Sequence, residues 1–142
     1  MAVTAEHRYS VVINPFHALL LGGALPLYLG ALLCDIAYAR TYEIQWSNFA
    51  SWLIVGALVF SGVALLFALV DLMRDRRRAR GFGIYILLLL ATWLVGLFDV
   101  LMHARDAWAV IPMGLVLSVI CSLLISLAAW FGFATPRVGD AR

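Results

Sequence analysis

The sequence predicts an all-α fold, an integral membrane four-helix bundle with both termini in the cytoplasm, and three observations carry that prediction. Of 142 residues, 65% are hydrophobic and only 13% charged, with a mean hydropathy of +1.00; a water-soluble domain carries about a quarter charged residues. Uncharged stretches run from Ala18 to Cys34, Phe49 to Val70, Gly81 to Phe98 and Ala107 to Pro136, against the roughly 20 apolar residues that cross a bilayer as a helix. The ten basic residues, all arginine, are sided. With four crossings, Arg8, Arg74, Arg76, Arg77, Arg78, Arg80, Arg137 and Arg142 share one face, and only Arg40 and Arg105 lie on the other. That asymmetry places the arginine-rich face in the cytoplasm.

The spans are expected at about residues 16–38, 48–72, 82–103 and 107–133, in one transmembrane domain over 1–142. They use nearly the whole chain and leave connections of about ten residues. A soluble catalytic domain, a nucleic-acid-binding domain and a nucleotide-binding fold are thereby excluded. Span one has the look of a signal peptide, because Arg8 precedes an apolar run and Ala37, Tyr38 and Ala39 form a small-x-small site. Asp35 interrupts the approach to that site, so the stretch is expected to be a retained helix. Tyr38, Tyr42, Trp46, Trp52 and Trp108 would gather at the outer interface, where amphipathic rings prefer the headgroup level. The run from Arg74 to Arg80 reads as a juxtamembrane loop that attracts anionic lipid.

At 100° per residue, His17, Tyr28 and Asp35 fall within about 20° of one another on span one. Span three repeats the pattern with Tyr85, Thr92, Gly96, Asp99 and His103. Pro26 lies opposite the first stripe. Span two carries a small-residue seam of Ala50, Ala57, Ser61, Ala64 and Ala68 that ends in Asp71, and span four has Gly114, Ser118, Cys121, Ala128 and Gly132 in the same manner. Small faces let helix backbones approach closely, so the seam of span two is expected to pack inside the chain. Cys34 and Cys121 differ too much in depth for a disulfide and are read as free thiols.

Ionisable groups within spans call for a functional hypothesis, and here they fall at two levels. The inner level collects His17, Asp71, Tyr85 and Arg80. The outer level collects Asp35, Asp99 and His103, with the two aspartates and the histidine able to form a proton-accepting cluster or a weak metal site. The plainer alternative has these groups snorkelling to the interface and pairing with Arg40 or Arg105. Asp35, Asp71, Asp99 and His103 are expected to be buried, and no metal is expected. His17 and His103 lie some 20–30 Å apart by helical rise, so they cannot hold one haem iron between them. His17 with Tyr85 is the one candidate position for a b-type haem or a quinone. Nothing matches a zinc-protease helix, a pair of close cysteines or a phosphate loop, so enzyme activity has no positive support.

The segment from Gly30 through Cys34 and Asp35 to Ala39, the following Trp46 and Phe49, Leu69 to Asp71, and the run from His103 to Trp108 continuing to Pro112, Gly114 and Ser118 resemble the bacterial membrane family catalogued as domain of unknown function 2231. That resemblance implies a four-helix bundle, found in some members beside redox modules such as Rieske or c-type cytochrome domains. The family's His-Pro-x-His-Pro element at the start of span one reads here Asn14, Pro15, Phe16, His17, Ala18, and the histidine near the start of span three corresponds to Tyr85. With one candidate ligand left, the sequence points to a non-catalytic accessory subunit without a cofactor. Its expected partners are the other membrane subunits of a bacterial respiratory or photosynthetic electron-transfer complex. A small haem- or quinone-binding electron carrier is the alternative.

Overall fold

The computed structural model describes residues 15–74, 81–105 and 107–134. They form four α-helices, α1 (Pro15–Thr41), α2 (Ile44–Arg74), α3 (Phe82–His103) and α4 (Met113–Ala134), with a 3-10 turn at Ala107–Ala109 and no strand among the described residues. Each helix is long and apolar enough to cross a membrane. The shortest, at 22 residues, rise about 33 Å, just over the hydrocarbon thickness of a bilayer.

The helices pack in a square, α1 against α2 and α4, and α3 against the same two. Chain neighbours are antiparallel, so α1 and α3 run the same way across one diagonal. The core is built from single faces: Leu21, Ala24, Tyr28 and Ala31 on α1, Ile54, Ala57 and Ala64 on α2, Leu89 on α3, and Cys121, Ile125 and Ala128 on α4. The small-residue seam of α2 faces inward, with Ala50, Ala57, Ser61 and Ala64 completely buried. Its partners are therefore helices of this chain. Hydroxyls that would be orphaned there bond back along their own helix, Ser61 Oγ to Ala57 O at 2.7 Å and Thr92 Oγ1 to Leu88 O at 2.7 Å. Pro26 lies on the exposed side of α1, where a missing backbone donor leaves no buried acceptor unpaired. Cys34 and Cys121 are free.

Three expectations need correction. The interval from 39 to 47 is not a loop, because α1 continues to Thr41 and α2 starts at Ile44. Hydropathy ends at the edge of the apolar layer, whereas helical backbone continues into the headgroup region on residues such as Arg40 and Trp46. The two-residue link is closed by Tyr42, at φ 57°, which donates its N–H to Tyr38 O at 2.8 Å in a left-handed cap. Its ring stacks on Trp108 with centroids 6.2 Å apart, an attraction set against the roughly 1–2 kcal/mol that left-handed backbone costs a non-glycine residue. The fourth helix begins at Met113 rather than Ala107, since Pro112 disfavours helical backbone at the residue before it. Asp71 is only half-buried, because α2 extends past the end of the seam.

Candidate functional site

The polar stripe of α1 meets its counterpart on α3 across the bundle diagonal at one constant offset. His17 faces Tyr85 and Asp35 faces His103, each pair 68 residues apart in sequence. Tyr28 and Gly96 share the same offset. Gly96 is the close approach that makes this diagonal possible, because a Cβ there would lie 3.2 Å from Tyr28 Cε1 and 3.2 Å from Leu58 Cδ2, with the tyrosine hydroxyl nearer still. The stripe thus becomes three rungs along parallel helices.

At one end, His17 Nε2 and the Tyr85 hydroxyl share a hydrogen bond of 2.5 Å, and both residues are buried. The rings meet edge to face with centroids 5.9 Å apart. Gly132 of α4 passes directly behind, where an added Cβ would come within 3.0 Å of both Leu21 Cδ2 and Tyr85 Cε2. The imidazole nitrogen that would meet a haem iron is therefore engaged by the phenol.

The other end is richer. His103 is the last residue of α3. Its Nδ1 donates to Asp99 O at 2.9 Å and lies 3.2 Å from Asp99 Oδ1, while its Nε2 is 2.8 Å from Asp35 Oδ1. A carbonyl oxygen only accepts, so Nδ1 carries a hydrogen. From α4, Ser118 Oγ donates to Asp35 Oδ2 at 2.5 Å and sits 3.0 Å from Asp99 Oδ2. Asp35 and Ser118 are 1% exposed and Asp99 is fully buried. Gly114, one turn before Ser118, makes room for the imidazole: a Cβ at that position would stand 3.0 Å from His103 Cε1 and closer to Val110.

The hydrogen count of this cluster is informative. The His103 Nε2 contact with Asp35 requires one hydrogen beyond the one on Nδ1. The single Ser118 hydrogen serves Asp35, so its contact with Asp99 requires another, borne by the carboxyl. A fully bonded cluster therefore holds two protons more than two carboxylates and a neutral imidazole would, and its net charge is zero. A neutral cluster is what the low dielectric of a membrane interior favours.

Of the expected site residues, the structure brings His17 to Tyr85 and gathers Asp35, Asp99 and His103. The snorkelling alternative is overturned, since these three side chains bond to one another in the core while Arg40 and Arg105 lie exposed. Arg80, expected at the inner level, lies outside the described residues, as does most of the arginine loop. Ser118, on the small-residue face of α4, uses its hydroxyl to bridge the Asp35 and Asp99 carboxyl groups. Asp35, Asp99 and His103 each offer one ligand atom, all within 4.8 Å of one another.

The profile of the family described as "predicted membrane protein (DUF2231)" covers residues 13–135, which include all four helices and every residue of both polar ends. The chain belongs to that family. It is a multi-pass membrane protein with four spanning helices. No curated protein and no solved structure shows significant similarity to it. The DUF2231 description names a membrane location and no activity.

Proposed function

We propose that the protein is a non-catalytic accessory subunit that packs against other integral membrane proteins, with both termini and the arginine loop on the cytoplasmic side of a bacterial inner membrane. The observation that carries this reading concerns the buried aspartate and histidine side chains among the described residues. All four are bonded to another helix of the same bundle: His17 to Tyr85, Asp35 to His103 and Ser118, and Asp99 to Ser118. Groups arranged in this way hold helices together. A rigid bundle with short links then acts through its outer surface, and a shallow apolar groove lined by Leu25, Ser126, Ala129, Trp130 and Phe133 offers a seat for a neighbouring helix. Membership of an electron-transfer assembly is the finer part of the proposal, and rests on the redox modules that accompany members of the family the sequence resembles.

Purification of a tagged chain from native membranes in a mild detergent tests the reading. The expected product is a complex in which a partner subunit carries a redox centre. A chain that runs alone, with its own Soret band at one haem per chain and loses that band in His17→Ala, would establish the electron-carrier alternative instead. Orientation is checked separately with cysteines at Thr41 and Arg78. Impermeant labelling from outside intact cells is expected at Thr41→Cys alone, and the reverse pattern would invert the topology.

A further inference from the structure

We propose that Asp35, Asp99 and His103, assisted by Ser118, form a binding site for one divalent transition-metal cation of the zinc class, a role beyond the scaffold reading and independent of it. The donor set suits such an ion: two carboxylates from different helices, an imidazole, and a hydroxyl poised between the carboxylates. Imidazole with carboxylate oxygens selects zinc and its neighbours over magnesium and calcium, which prefer all-oxygen shells. Residues on α1, α3 and α4 contribute, so the ion would tie three of the four helices.

Two observations distinguish this from an ordinary buried ion pair. First, His103 is held as a metal-binding histidine is held. Its Nδ1 donates to the Asp99 backbone carbonyl at 2.9 Å, which turns Nε2 toward Asp35, 2.8 Å away; metal-ligating histidines almost always donate their second nitrogen in this way. Second, Asp99 Oδ1 is buried without a hydrogen bond, because His103 Nδ1, 3.2 Å away, gives its hydrogen to the Asp99 backbone carbonyl. A buried carboxyl oxygen without a hydrogen bond, beside an imidazole and a second carboxyl group, keeps a lone pair for a cation. The site lies at one end of the bundle, because His103 is the last residue of α3.

The test uses the full-length chain, purified in detergent, stripped with chelator and returned to Zn2+ or Co2+ alone. The expected result is one Zn2+ retained per chain through gel filtration. Co2+ should give an intense visible band of a low-coordinate nitrogen and oxygen site, which Zn2+ displaces and Mg2+ does not. Asp99→Asn and His103→Gln should each lose about 100-fold or more in affinity, and Ser118→Ala about tenfold, on the scale set by partners of metal ligands. His17→Ala, at the far end of the bundle, should bind as wild type. Retention of Zn2+ undiminished in both Asp99→Asn and His103→Gln would overturn the proposal, as would its absence from the wild type. If both variants fail to fold, the wild-type Co2+ spectrum decides: a weak band of surface type, or none, ends the assignment.

Discussion

The rung made by His17 and Tyr85 and the rung made by Asp35 and His103 stand on the same two helices at the same sequence offset. The separation of 18 residue steps on each helix is five whole turns, or about 27 Å of rise. Helix register is therefore common to both ends, and chemistry alone separates them. One end is a single hydrogen bond between two aromatic groups on two helices. The other joins three helices through four polar side chains, two of them carboxylates. A lone bond can be lost locally, whereas removal of one member of the network strands charge on the others.

The largest effect should follow from breaking the network. Asp35→Ala removes the acceptor of both His103 Nε2 and Ser118 Oγ and severs the α1 connection at that end. Taking one partner from a buried charged set costs about 3–5 kcal/mol, read as a lower unfolding midpoint in detergent. A loss no greater than that of a variant at the His17 end would erase the distinction between the two ends.

The middle rung sharpens the same comparison, because it holds the diagonal together by proximity alone. Gly96→Ala places a methyl group against Tyr28 and Leu58, and overpacking of this kind costs about 1–3 kcal/mol. Tyr28→Phe in the same chain removes the hydroxyl, the nearest atom, and should recover part of the loss. No recovery in the double variant would mean that the helices separate along their length, making the rungs one cooperative unit rather than three.

How much of this was legible in the sequence follows from what periodicity reports. A stripe such as His17, Tyr28 and Asp35 reads directly, because spacing sets the angle of each side chain about its own helix axis. Spacing does not say which neighbouring helix faces that angle. Asp35 and His103 were thus placed at one level, yet whether they pair with each other or with arginines at the interface depended on tertiary contacts. Ser118 illustrates the same limit: a serine on a small-residue face looks like packing until a carboxylate is found opposite its hydroxyl. The link at Tyr42 and Glu43 was hidden for a different reason, since hydropathy marks where apolar surface ends and not where helical hydrogen bonding ends. Tyr85, placed by resemblance where a second histidine would stand, met His17 as a hydrogen-bond partner.

The smallest effect is expected from Tyr85→Phe, and it bears most directly on whether the two ends are independent. The substitution removes one hydroxyl and leaves the ring, its edge-to-face contact with His17 and its packing against Gly132 in place. Hydrogen bonds between membrane helices average about 0.6 kcal/mol in double-mutant cycles, because the separated helices also find partners, so a loss near 0.5–1 kcal/mol is expected. The distance of about 27 Å from the Asp35 and His103 rung puts the two sites well beyond the range at which mutations ordinarily couple. The double variant Tyr85→Phe with Asp35→Ala should accordingly lose the sum of the single losses, to within about 0.5 kcal/mol. A double variant clearly more stable than that sum would show that Asp35→Ala already loosens the distant rung. In that case α1 and α3 move as one rigid pair, and the bundle would be held by its weaker end only while the stronger one is intact.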